Sequence, residues 1–162
     1  MIYRLAPMSA VIRLLTVVVL TIPIVLAIAG LPTVAAAVAA LYIWVWLWMR
    51  PRHFVVETDA VVIVWPLRSR RIERAALRSA RIVTASEFRR EHGLGIRIGV
   101  GGLWGGFGLL WTRGTIYDLY VSRTDGLVVL EREGGRPLLI TPERPEAFVR
   151  SVQAATEENG DS

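Results

Sequence analysis

From Leu14 to Met49 the chain carries no charged side chain, and Leu, Ile, Val, Ala and Trp fill most of the stretch. At about 1.5 Å per residue one unbroken helix of this length would run to roughly 50 Å, well past the roughly 30 Å hydrocarbon core of a bilayer. Gly30-Leu31-Pro32 interrupts it. Pro32 has no backbone N–H to donate, and Gly30 makes a tight reversal easy. The reading is two short membrane helices, Val11 to Ala29 and Pro32 to Met49. The chain beyond Arg50 is then a domain held against the membrane.

Charge at the flanks sets the expected orientation. Arg4 and Arg13 precede the first helix, Arg50 and Arg52 come after the second, and the connecting turn is uncharged. Positive charge at both ends places residues 1–10 and everything after residue 49 in the cytoplasm. Pro23 is expected to kink the first helix, which membrane helices tolerate. In the second, Ala36 and Ala40 share a face that permits close approach of its partner. Tyr42, Trp44, Trp46 and Trp48, with Arg50 and Arg52 behind them, form an interfacial anchor, since amphipathic rings and arginines settle at headgroup level. The competing reading is a signal peptide cleaved after Ala27-Ile28-Ala29. A second apolar run of spanning length directly behind it argues for the hairpin.

The chain has 162 residues, room for one small domain beside the anchor, and its mean hydropathy of +0.45 is owed to the first fifty positions. The net charge is +5, and every basic residue is Arg. With no Cys there is no disulfide, thiolate nucleophile or thiolate metal site.

The rest of the chain reads as short strands. His53 to Glu57 and Val61 to Trp65 flank Thr58-Asp59-Ala60 as a hairpin, and Arg70 to Arg74 alternates as a third strand. Ala75 to Leu77 reads as a helical turn, Arg78 to Thr84 as a strand and Ser86 to His92 as a polar loop. Gly93 to Trp111 is dense in glycine with Leu, Trp and Phe between. Arg97 and the glycines argue against a third span, and neither a dinucleotide fingerprint nor a P-loop fits, because Trp104 stands where a Gly is needed and the chain has no Lys. Strands that bend where backbones approach closely remain. Thr115 to Ser122, Leu127 to Glu131 and Pro137 to Ile140 complete the strands, with a Gly134-Gly135 hairpin turn before the last. Thr141-Pro142 is expected to open a helix that buries Phe148, Val152 and Ala155, with 157–162 as a disordered tail.

The run Gly101-Gly102-Leu103-Trp104-Gly105-Gly106-Phe107-Gly108, then Tyr117 to Val121, Leu139-Ile140-Thr141-Pro142-Glu143 and Pro145-Glu146-Ala147-Phe148, resembles a bacterial pleckstrin-homology-like (PH-like) domain. The resemblance covers about residues 50–156. It implies a mainly-β barrel of about seven antiparallel strands in two near-orthogonal sheets, capped by a C-terminal α-helix and often preceded by two membrane helices. It implies no known enzymatic activity.

The residues alone point the same way. His53 and His92 are the only histidines; with Ser86 and Glu87 they form no triad or metal-ligand spacing, so no catalytic, cofactor or metal residue is assigned. Two surfaces are candidates. Trp104, Phe107 and Trp111 offer an apolar face to a partner or the membrane. Arg68, Arg70, Arg71 and Arg74, with Arg78 and Arg81 beyond, offer contacts to anionic lipid, each worth about 1 kcal/mol near such a leaflet. Nucleic-acid motifs are absent. The expected function is a non-catalytic interaction module in the inner membrane, binding a protein partner or itself. The alternative is a sensor of anionic lipid through the Arg68–Arg81 region.

Overall fold

The computed structural model describes residues 1–157, with side chains through residue 154; the stretch 158–162 of the expected tail lies outside the described residues, and Glu157 closes a helix. An apolar helix pair comes first: α1 (Ala10–Ile28) and α2 (Pro32–Trp48). Ser9 caps α1, its hydroxyl accepting from the Ile12 amide at 3.5 Å. The helix continues through Pro23, and Gly30, at φ +79°, turns the chain back. Ile12, Thr16, Val19, Pro23 and Leu26 are the covered positions of α1, spaced as one helical face. On α2 the covered face is Ala35, Val38, Ala39, Tyr42 and Val45, while Ala36 and Ala40 point outward. The small-residue face expected at Ala36 and Ala40 is therefore one position out, a rotation of about 100°. The Tyr42 hydroxyl donates to the Val19 carbonyl at 3.1 Å, so this ring closes the pair instead of joining the outer belt.

Among the described residues ten strands form two sheets. The first has the order β1 (Ile2–Arg4), β2 (His53–Val56), β3 (Ala60–Val64), β4 (Ser69–Glu73), all antiparallel. The second holds β5 (Leu77–Val83), β6 (Ile96–Gly101), β7 (Gly106–Trp111), β8 (Ile116–Val121), β9 (Leu127–Arg132) and β10 (Leu138–Ile140), in the order β5-β9-β10-β8-β7-β6. Strand β10 turns back at Gly134 and slots between β9 and β8, antiparallel to the first and parallel to the second. The expected seven antiparallel strands are thus ten with one parallel pair, and the sheets do not close into a barrel; one isolated bridge, Leu5 to Pro142, joins them. An alternation pattern shows which face a strand buries but not which neighbour it chooses.

Three further expectations change. Ser86 to His92 is not a loop but helix α3 (Ala85–His92), opened by a capping box in which Thr84 and Glu87 exchange hydrogen bonds. Thr141 does not cap a helix: it is fully buried, and α4 (Pro145–Glu157) starts at the next proline instead. The first residues are not a separate segment, since β1 is the edge strand of the first sheet.

The main core lies between the first sheet, the inner face of the second and α4. Phe54, Phe107 and Phe148 are fully buried there, with Phe148 meeting Tyr3 and Phe54 edge-on at ring distances of 5.3 and 6.1 Å. A second core, Phe88 against Tyr117, Leu119, Val129 and Leu139, seals α3 on the outer face. Covered on both faces, β9 reads Leu-Val-Val-Leu without alternation.

Candidate membrane-facing site

The helix pair is fastened to the β domain at three places, all toward one end of the sheets. Before α1, the Leu5 amide donates to the Arg52 carbonyl at 3.3 Å and the Ala6 amide to the Thr141 carbonyl at 2.9 Å. Ser122 and Thr141, both without solvent exposure, complete this latch. The Ser122 hydroxyl donates to the Ala6 carbonyl at 2.6 Å, the Thr141 hydroxyl accepts from the Ser122 amide at 2.9 Å, and the Ser9 amide reaches the Ser122 carbonyl at 3.3 Å. After α2, the Trp65 indole donates to the Met49 carbonyl at 3.2 Å. Both ends of the pair therefore leave the domain side by side.

The third fastening is the turn between β6 and β7. Thr16, buried two turns into α1, accepts from the Trp104 amide at 2.9 Å, and its hydroxyl lies 3.0 Å from the Gly102 carbonyl. Trp104 adopts φ +59°, a left-handed conformation costly for a bulky residue and held here by that hydrogen bond and by packing. Its ring roofs a cavity of about 480 Å³ between the helices, walled by Leu20, Pro23, Ala39, Tyr42 and Trp46 with almost no polar surface. The glycines around it serve close approach. A Cβ on Gly99 would meet the Phe107 carbonyl oxygen at 2.3 Å, and one on Gly108 the Ile98 carbonyl oxygen at 2.5 Å.

The residues singled out in the sequence scatter. Phe107 is entirely core, Trp104 is half-buried against the helices, and only Trp111 is open, at 51% exposure. They form no common surface. The basic run is largely engaged inside the domain. Arg70 reaches across the sheets to the buried Asp118 at 2.6 Å, Arg71 holds Glu57 and Asp59, and Arg74 is buried with its guanidinium on the Thr58 and Ser151 carbonyls. Burial is the largest influence on the Arg70 guanidinium and would lower it; the hydrogen bond and charge attraction to Asp118, with Tyr120 adding, together outweigh burial and hold the group above its usual range. Arg78 and Arg81 pair with Glu133 and Glu91. Of the four candidates Arg68 and Arg71 lie out on the surface; Arg71 is held by its two carboxylates, and Arg68 sits 4.4 Å over the Trp65 ring. Trp44, Trp46 and Trp48 are exposed on α2, with half-buried Arg50 and exposed Arg52 behind them.

Two surfaces were not anticipated. Strand β6 is the outer strand of the six-stranded sheet, and Ile96 and Ile98 on it are 64% and 56% exposed. Trp111 and Ile116 extend the row by register, Ile96 opposite Trp111 and Trp111 opposite Ile116. Edge position is invisible in a sequence, although the alternation Ile96-Arg97-Ile98 marks the face. On the opposite face, α3 and the sheet enclose a groove of about 290 Å³ rimmed by Arg89, Arg97 and Arg123. The Thr84-Ala85-Ser86-Glu87 capping signature would have revealed its α3 wall. His92 packs within that seam, 3.3 Å from the Tyr117 hydroxyl. No cluster of three or more His, Asp or Glu among the described residues has metal-binding geometry.

The architecture is an apolar helix pair rooted in a two-sheet β domain closed by a C-terminal helix, with α1 long and apolar enough to cross a membrane and α2 a shorter apolar helix. Compared with protein-family models, curated proteins and solved structures, the chain has no match.

Proposed function

We propose that the chain is a membrane-anchored, non-catalytic interaction module of the PH-like kind. Its two helices cross the inner membrane as a hairpin, and the β domain stands on the cytoplasmic side. The rooting of both helix ends in one domain supports the hairpin, because a U-turn returns the chain to the side it left. It also speaks against a cleaved leader: cutting after Ala29 would strip β1 and the buried Tyr3, Leu5 and Ala6 from the core. Basic residues at both ends favour the cytoplasmic orientation.

The observation that carries the interaction role is the β6 edge. It combines unpaired backbone groups with an exposed apolar row, and soluble domains ordinarily blunt such edges. A strand from a protein partner or a second copy fits by extending the sheet, with main-chain hydrogen bonds for affinity and Ile96, Ile98 and Trp111 for contact. The alternative, lipid sensing through the Arg68–Arg81 region, retains Arg68 as an exposed member with no carboxylate partner among the described residues, while the exposed Arg71 and Arg78 are ion-paired. The test is a photo-crosslinking residue placed at Ile98 in native membranes. An adduct is expected there and not from the exposed Glu143, which lies between β10 and α4 and bonds to β1 at Arg4; its mass distinguishes a second copy from another protein. No adduct at Ile96 or Ile98 would overturn the β6 reading.

A further inference from the structure

The groove between α3 and the outer face of the second sheet has the chemistry of an amphiphile site. Its floor is apolar, formed by Leu110, Leu119 and Leu127, and its rim carries Arg89, Arg97 and Arg123. No acidic side chain lines it. Arg89 and Arg97 make no ion pair among the described residues, whereas Arg123 donates from Nε to the Asp125 carbonyl at 3.1 Å, with the Asp125 carboxylate 3.9 Å away. Arg81 on the same face is matched to Glu91, whereas Arg90 on α3 and Arg113 make no ion pair among the described residues and lie outside the groove lining. Three arginines and no carboxylate thus line the groove.

The local sequence builds this rim. Register puts Arg97 on the same face as Leu110 and Tyr117, and its guanidinium lies down over Gly101 and Gly106. A Cβ on Gly106 would come within 2.9 Å of an Arg97 nitrogen, so the glycine makes the bed on which the side chain rests. Phe88 pins α3 to the sheet and thereby sets Arg89 at the opposite wall.

Position identifies the source of the ligand. Gly101 and Gly106 flank the turn that is hydrogen-bonded to Thr16 of α1. Arg123 is the neighbour of Ser122, whose carbonyl accepts from Ser9, the residue capping α1. Two of the three rim arginines thus stand beside the fastenings of the first two turns of the membrane helix. If that helix enters the bilayer as a spanning helix, the proposed function on which this inference rests, the rim lies at headgroup level. We propose that this groove binds an anionic phospholipid of the surrounding leaflet, its phosphate held by Arg89, Arg97 and Arg123 and the start of one acyl chain laid on the leucine floor. At about 290 Å³ the groove is near the lower end of small-molecule pockets, enough for a headgroup and the first part of a chain. Guanidinium and phosphate match in geometry, and the bonds between them are charge-assisted.

Native mass spectrometry of the full chain, delipidated in neutral detergent and titrated with phosphatidylglycerol or phosphatidylcholine, tests this. Phosphatidylglycerol is expected to be retained in preference. Arg89→Gln and Arg97→Gln are each expected to weaken retention about tenfold. Arg90→Gln, on the same helix but outside the groove, should bind as the parent does. Equal retention of the two lipids, or equal loss with Arg90→Gln, would overturn the site. Displacement by millimolar inorganic phosphate would overturn the lipid as its ligand and assign a free phosphate instead. Alkaline extraction of native membranes decides the anchoring separately: a chain that washes out refutes the membrane reading whatever the groove binds.

Discussion

Thr16→Val separates the helix pair from the β domain at one atom. The hydroxyl of Thr16 accepts from the Trp104 amide at 2.9 Å and has a single proton for two carbonyls, Ile12 at 2.8 Å and Gly102 at 3.0 Å. Valine keeps the shape and removes both roles. The Trp104 amide then loses its acceptor in a spot where Thr16 is only 4% exposed. A buried donor left without a partner costs about 1–3 kcal/mol. Trp104 is the place least able to absorb that, because its left-handed backbone already depends on the surrounding contacts. If the turn opens locally, each 1.4 kcal/mol or so makes amide exchange about tenfold faster. Hydrogen exchange of the Gly101–Gly106 segment in detergent should therefore accelerate by roughly 5- to 150-fold in Thr16→Val. Thr16→Ser, which keeps the oxygen, should exchange close to the parent. Unchanged exchange at Trp104 in the valine variant would refute the fastening and detach the β6–β7 turn from α1.

Phe148→Ala empties the largest α4 side chain from between Tyr3 and Phe54 and is expected to cost about 3–5 kcal/mol in a thermal or denaturant melt, whereas Ala154→Ser, on the exposed face, should melt like the parent. A fragment of residues 50–162 lacks β1 and the buried Tyr3 and Leu5; it is expected to melt well below the full chain, and adding a peptide of residues 1–8 should recover part of the loss. Hydrogen bonds from the Thr84 backbone and hydroxyl hold the Glu87 carboxyl below its usual 4.5. A carboxylate depressed in the folded state stabilises fully above its unfolded pKa and loses that contribution as pH falls through the lower, folded value. Exchange protection of α3 should accordingly fall as pH drops below about 4.5, and Glu87→Gln should flatten the dependence.

Much of the architecture is written locally. An uncharged apolar run broken by Gly-Leu-Pro can only be an apolar helix pair, because no polar face exists to be solvated. Alternating β-branched runs with turn residues between them placed β2, β3, β5, β8 and β9 within a residue or two of where they lie, and Phe148 in the core. The missed α3 was legible as well, since a capping box is a local signal that a charge-rich composition had masked.

Pairing and exposure were not legible. Whether β10 lies beside β9 or is inserted between β9 and β8 depends on which vacant backbone edge it meets, and no residue in Leu138-Leu139-Ile140 encodes that. Phe107 and Trp111 look alike on one strand, and they share a face. Phe107 is sealed under the first sheet, while Trp111, farther along, projects past it. Arg70 and Arg97 look alike too. The fold places Asp118 in front of one and glycines beneath the other, so one is neutralised and the other lies along a groove. Composition fixed how many arginines and apolar side chains the chain has. Only the tertiary arrangement, by bringing distant residues within a few ångströms, decided which are paired and which still face outward.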